Sequence, residues 1–263
     1  MMFVFFFTAE YSHRMDIEEN QTFYEMEDVF TVEEDIVIKN VMVIDERRLA
    51  IAGYPSKSLF IFYNRGMVVE QIPLHKNPMK IAVINNSSVA VTLLRAKQVL
   101  IVNLLQKDYR KIKFDVECCS ITCMNDKLFI GCKDETIAIT NIQGNILRKI
   151  STPELEIYNI CGTKKGLLFC TNYTKDEVIC IDPYRETTSV LKNACMRKPR
   201  GITADDEDCI LVSCRGSYNV CRISKSGKFS VVIEMEPYTG YPCICYDTTS
   251  DTVIIGFCNT LQF

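Results

Sequence analysis

The chain has no tryptophan, only two histidines, and no C-x-x-C pair among its 14 cysteines. Zinc fingers and RING modules need Cys and His at short fixed spacings, so that class of metal scaffold is missing. Nothing here approaches the ~18 consecutive apolar residues of a membrane-crossing helix. Stretches with a 3.6-residue apolar period are lacking too, which excludes a solenoid of strands and helices. Gly-x-Ser-x-Gly elbows and Gly-x-x-x-x-Gly-Lys loops are also absent. With His13 and His75 both outside the apolar runs, a Ser or Cys nucleophile has no evident base.

What is present is apolar and moderately charged: 48% hydrophobic and 24% charged in 263 residues, enough to bury a full core without staples. Most cysteines sit inside strand-like apolar runs, so they read as free buried thiols in a reducing, cytoplasmic setting rather than as a disulfide framework. Asn-x-Ser/Thr triplets at Asn20, Asn85, Asn86 and Asn172 keep a secreted alternative open. Charge is uneven. Residues 1–35 hold ten acids against Arg14 alone, leaving 29 basic and 23 acidic residues in the remainder. Residues 1–27 therefore read as an acidic, partly disordered leader, which either is a solvated tail or shields a basic face. The opening MMFVFFFTAE lacks the basic flank and small-residue cleavage site of a signal peptide.

Short apolar runs recur. Leu49–Gly53, Val89–Leu93, Leu128–Cys132, Leu168–Asn172, Ile210–Cys214 and Val253–Phe257 begin at intervals of about 40 residues. A short polar turn after each leads to a further run: Leu59–Tyr63, Val99–Val102, Ile137–Thr140, Val178–Ile181, Val220–Ile223 and Leu261–Phe263. Turns such as Asn64-Arg65-Gly66, Asp182-Pro183 and Ser226-Gly227 precede outer runs, and each copy has a run before it. Four strands in about 40 residues make one blade of a β-propeller. The expected fold is all-β: a six-bladed propeller of four-stranded antiparallel blades spanning 28–263, with blades near 36–75, 78–115, 117–151, 155–192, 198–234 and 240–263. The last blade lacks an outer strand, and the run at 28–33 is expected to supply it and close the ring.

The fifth copy is the best formed. Pro199-Arg200-Gly201-Ile202, Ala204-Asp205, Ile210-Leu211-Val212, Asn219 before Val220, and Ser226-Gly227-Lys228 resemble the NHL repeat. The other copies keep the spacing and lose Pro and Gly. The chain is most similar to the C-terminal propellers of tripartite-motif proteins, in which an N-terminal RING and B-box attach ubiquitin and the propeller selects partners. The RING and B-box spacings are missing from this chain, so the resemblance implies the recognition module and not ligase activity.

Three functions are carried forward. The first is non-catalytic protein binding, and the second is single-stranded RNA binding on the same face. In a propeller, the loops joining second to third strands and those between blades share one face. Here they supply Lys57, Arg95, Lys97, Lys133, Lys175 and Arg215, with Lys76, Lys80, Arg197, Lys198 and Arg200 between blades and Tyr54, Tyr173 and Tyr218 beside them. Nine acids share that face (Asp115, Glu117, Asp134, Glu135, Glu154, Glu156, Asp176, Glu177 and Glu236), which favours a protein over RNA. The third is a metal-dependent lactonase- or esterase-like hydrolase, but the inner runs supply Asn159 as their one clear amide. The Trp-bearing repeat of sialidase-type propellers is absent. No catalytic residue, cofactor, metal, membrane contact or small-molecule substrate is expected, and the thiols of Cys118 and Cys119 read as strand thiols rather than a redox pair.

Overall fold

The computed structural model describes residues 2–11, 22–32, 36–63, 67–237 and 240–258, and every regular element among them is a β-strand. From the N-terminus come β1 (Met2–Tyr11) and β2 (Thr22–Val32). Blade one is β3 (Val37–Asp45), β4 (Arg48–Tyr54), β5 (Ser58–Tyr63) and β6 (Met67–Pro73), and blade two is β7 (Pro78–Asn85), β8 (Ser88–Leu93), β9 (Gln98–Asn103) and β10 (Asp108–Lys113). Blade three is β11 (Cys118–Met124), β12 (Lys127–Cys132), β13 (Thr136–Asn141) and β14 (Ile146–Ser151). Blade four is β15 (Asn159–Gly162), β16 (Leu168–Asn172), β17 (Glu177–Asp182) and β18 (Thr187–Leu191). Blade five is β19 (Pro199–Ala204), β20 (Ile210–Cys214), β21 (Asn219–Ile223) and β22 (Phe229–Glu234). The C-terminal pair is β23 (Cys243–Asp247) and β24 (Thr252–Cys258).

Six four-stranded antiparallel sheets result, as the repeat implies, and the first strands β3, β7, β11, β15, β19 and β23 touch in a ring around a central channel. The N-terminus closes that ring with two strands, where the sequence argued for one. In the sixth sheet the order is β2-β1-β24-β23, with Met2 opposite Cys258 and Thr8 opposite Thr252. Residues 2–11 are thus the third strand of blade six, and the reading of residues 1–27 as a leader is corrected there. The run Leu261–Phe263, expected in that place, and the turn at 64–66 lie outside the described residues.

The reason β1 escapes an alternation test is its burial. A strand inside a blade is covered by the neighbouring blade on each face, so both sets of side chains are apolar. On one face Val4 and Phe6, with Phe30 of β2, pack on Ile38, Ile51, Phe60 and Phe62 of blade one. The pleat of β1 places Phe7 on the other face, where it and Tyr24 meet Leu211, Val220, Val232 and Ile233 of blade five, and the register irregularity opposite Phe6 and Phe7 falls on β2 at Glu27. The ends of the chain thereby tie blade six to both its neighbours.

The motif residues of blade five have structural tasks. A Cβ at Gly201 would fall 2.5 Å from the Ser213 hydroxyl and 2.9 Å from Ile244, so only glycine lets β19 lie this close to blade six. The Asp205 carboxylate accepts from the amides of Glu207 and Cys209 and pairs with Arg222 at 3.1 Å, closing the acidic turn. Buried Asn219 donates through Nδ2 to the Cys195 carbonyl at 3.1 Å. The 13 cysteines among the described residues are free thiols, and most are buried.

Because Phe6 is 2% exposed in the clasp, Phe6→Ala is expected to cost about 3–5 kcal/mol. By circular dichroism this should lower the melting temperature by about 10 °C, and a change under 2 °C would show that the clasp does not hold the ring.

Candidate functional site at the channel mouth

Each blade delivers at least one side chain to the same end of the channel. In β3, β7, β11 and β19 the pairing with the next strand slips near the start, between Ile38 and Asn40, Pro78 and Lys80, Cys118 and Ser120, and Pro199 and Gly201. A bulge leaves one residue unpaired and re-aims its side chain. The residues so placed are Lys39, Met79, Cys119 and Arg200, and all four line one pocket, with Tyr158 just before β15 and Tyr241 and Pro242 just before β23. Arg95 from the β8–β9 loop and Lys133 from the β12–β13 loop complete the rim, as do Glu117 and Glu156. The cavity measures about 390 Å³.

At its centre is a guanidinium among tyrosines. The Arg200 carbon lies 4.2 Å from the ring centre of Tyr158, 4.3 Å from that of Tyr173 and 3.9 Å from that of Tyr241. Arg200 also donates to the Tyr158 hydroxyl, while its Nε is buried with no acceptor. Arg215 stands 4.9 Å from the Tyr241 ring and donates to the Tyr173 hydroxyl at 3.4 Å, and Lys198 is 6.0 Å from the Tyr173 ring. Burial pushes the Tyr173 phenol up, but the hydrogen bonds from Arg215 and Arg200 outweigh it and hold it below the ordinary value. Lys39 bridges the rings of Tyr54 and Tyr241 at 5.4 and 5.5 Å.

Beside Arg200 is Lys80, 5% exposed, with its ammonium 5.6 Å from the Tyr158 ring. Desolvation is the main force on it, and a Cys243 thiolate would oppose that; the charges of Arg200 and Lys39 add to the desolvation, and Lys80 drops to about 8. Among the described residues neither Lys80 nor Arg200 is paired with a carboxylate. The acids counted on this face are mostly engaged elsewhere. Glu154 pairs with Lys175 and Glu177 with Lys192, Glu135 accepts from the Glu154 amide, Asp134 from the Thr136 hydroxyl, and Asp176 from the Lys198 amide.

Of the residues expected on the binding face, Lys80, Arg95, Lys133 and Arg200 line the cavity, and Arg215, Lys198, Tyr173 and Tyr54 join through the cation–ring contacts above. Lys57, Lys97, Lys175 and Arg197 are exposed but do not line it. Tyr218 packs instead against the apolar cluster between blades five and six. Sequence reasoning missed Lys39, Met79, Tyr158 and Tyr241. The signal that finds them is the interval of about 40 residues, applied to the position opening each first strand.

Below the mouth, a channel cavity of about 190 Å³ is lined by apolar side chains and thiols, with Asn40, Asn159, Thr122 and Thr203 as its only side-chain oxygens among the described residues. Asn40 adds a second amide to the Asn159 read from the sequence. Its Oδ1 accepts from the Ile81 amide at 2.8 Å, tying blade one to blade two, and Asn159 Oδ1 accepts from the Ile160 amide. Burial lifts the Cys119 thiol to about 11 against the pull of Lys133, and burial lifts Cys123 to about 11 as well.

No family model matches the chain, and no curated protein does. Solved structures do. A nidogen/laminin complex aligns with a TM-score of 0.70 at 12% identity over 89% of this chain and 94% of the other. A catalytically inactive virginiamycin B lyase of Staphylococcus aureus, solved with quinupristin, gives 0.68 at 11% identity over 97% and 95%. The WD40 repeats of RRP9 give 0.66 at 9% over 86% and 96%. The likeness is one of fold. These propellers include a lyase and repeat proteins, and at such identities the scaffold is what they share.

A buried ammonium held below its unfolded value destabilises the fold while it is charged. The penalty from Lys80 is fully present below pH 8 and is relieved between 8 and the unfolded value of 10.5. Lys80→Met should therefore melt a few degrees above the parent at pH 7, with the gap closing toward pH 10. Thermal melts across that range check it, the facing groups Lys39, Arg200, Tyr158 and Cys243 being common to both proteins.

Proposed function

We propose that this propeller is a non-catalytic recognition module of the NHL type, holding a segment of a protein partner over the channel mouth. The observation that carries this reading is the convergence, from all six blades, of arginine, lysine and tyrosine side chains on one concave site. Arginine and tyrosine are the residues enriched where proteins bind proteins, and a central depression with a polar rim is the usual anatomy. Tyr54 and Tyr241, 38% and 40% exposed, offer the amphipathic surface such a contact uses. Single-stranded nucleic acid needs free ring faces on which bases stack. Here the guanidinium of Arg200 stands against the rings of Tyr158, Tyr173 and Tyr241, which favours a protein over RNA.

A binding role also suits the chemistry of the site. Among the described residues no three His, Cys, Asp or Glu side chains converge as a metal set. His75 lies outside the cavity, its ring centre 5.7 Å from that of Tyr109 and its Nε2 against the Gln98 amide. A fold that serves enzymes and binding proteins alike gives no vote, so the site has to carry the argument.

The test is a capture experiment from extract with and without nuclease treatment, using the parent protein and a triple variant Arg95→Glu, Lys133→Glu, Arg215→Glu. Proteins retained by the parent and lost by the variant are the expected result. Capture that vanishes on nuclease treatment, together with binding of a random single-stranded RNA pool that weakens steeply with salt, would replace this reading with RNA recognition.

A further inference from the structure

The channel mouth contains an electrostatic debt inside the fold. Arg200 is 8% and Lys80 5% exposed, and neither has a carboxylate partner among the described residues. Buried charges in folded proteins are paired, because an unpaired one carries a large desolvation penalty. The tyrosine rings around Arg200 offset part of it through cation–π attraction. They leave its Nε buried and without an acceptor, while the Lys80 ammonium, on a side chain that is 5% exposed, has the Tyr158 ring 5.6 Å away. Three more cations, Lys39, Arg95 and Lys133, line the same cavity against two carboxylates, Glu117 and Glu156.

We propose that this cavity is a binding site for a phosphate monoester, with Lys80 and Arg200 as its floor. A carboxylate would compensate one of the two buried cations, whereas a phosphate monoester carries close to two negative charges at neutral pH and three acceptor oxygens. Arginine suits it through its planar fork and lysine as a point charge. At about 390 Å³ the cavity has room for the atoms that carry the phosphate as well as the group itself. Tyr241, at the rim and 40% exposed, and the outer cations Arg95 and Lys133 would meet that carrier. The proposal deepens the recognition reading and rests on the same face, for it names the group by which a partner segment is held: a phosphorylated side chain. A small phosphorylated metabolite presents the same chemistry, and the measurements separate the two.

Binding is read by thermal shift and by ³¹P line broadening, with inorganic phosphate, glycerol phosphate, and a phosphoserine pentapeptide beside its unphosphorylated twin, each against sodium chloride at equal ionic strength. At tenfold over its Kd, inorganic phosphate should raise the melting temperature by about 3–6 °C in a saturable way. Lys80→Met, which removes the charge and keeps the bulk, should melt at or above the unliganded parent and lose that response. Arg200→Gln should weaken phosphate at least tenfold. If the two cations served only to brace the tyrosines, Lys80→Met would instead be less stable and keep the response. No shift beyond that of chloride, or an equal shift in both variants, overturns the site. Tighter binding of the phosphopeptide than of glycerol phosphate assigns the group to a protein, and the reverse order assigns it to a metabolite. Phosphate binding without any captured protein would reject the protein-recognition reading and leave the site standing, and protein capture without phosphate binding would do the opposite.

Discussion

The structure depends on the pairing of its two ends. Five blades are each made from one continuous stretch, but the sixth joins β23 and β24 to β1 and β2, and without that sheet the ring has two open sides. The closing strand is held by backbone pairing with β24 and by apolar side chains reaching into both neighbours, Phe6 toward blade one and Phe7 toward blade five. Closure fixes the spacing of the six first strands, and that spacing brings Lys39, Lys80, Tyr158, Arg200 and Tyr241 to one point. The site at the mouth is thus a product of the clasp on the rim.

Within that frame the mouth sets one physical tendency against another. A propeller channel is an apolar place, and the lower cavity keeps to that with its Met, Val, Ile and Cys lining. At the upper end the bulges that open the first strands turn long cationic side chains inward. The tyrosine rings then supply what the low dielectric demands in part, a negative ring face for each positive head. Carboxylates could have done the same more completely, yet Glu135, Glu154 and Glu177 of this face are engaged in turns or in pairs with surface lysines, and only Glu117 and Glu156 line the cavity among the described residues. A site that leaves its own positive charge partly uncompensated is arranged to receive negative charge from outside.

Much of the fold was legible because a repeat carries its own redundancy. Six copies of a second strand at nearly equal intervals identify the blade even where Pro and Gly of the best copy, Pro199 to Ile202, are lost elsewhere. The third strand of blade six was the exception. Met2 to Thr8 is as apolar and β-rich as Leu59 to Tyr63, but it stands at the wrong end of the chain to be counted with them. At the site, sorting residues by loop found Lys80, Arg95, Lys133 and Arg200 and also drew in Lys57, Lys97, Lys175 and Arg197, since loop membership says nothing about inward direction. Direction came from the bulges, which depend on pairing register and have no residue signature of their own. Tyr218 shows the same limit: a loop tyrosine whose ring turns into the core between blades.

The route by which the clasp forms has a kinetic side. Met2 and Cys258 are partners across nearly the whole length of the chain, so β1, although it can pair with β2 at once, must hold its other edge unpaired until residue 258 has been made. Blades one to five are built from neighbouring hairpins and need only local loop closure, whereas the last sheet requires the longest closure in the molecule. Ring formation is then the late step on the folding path. Until it occurs, the phenylalanine-rich β1 presents an open strand edge, the feature that invites pairing with another chain.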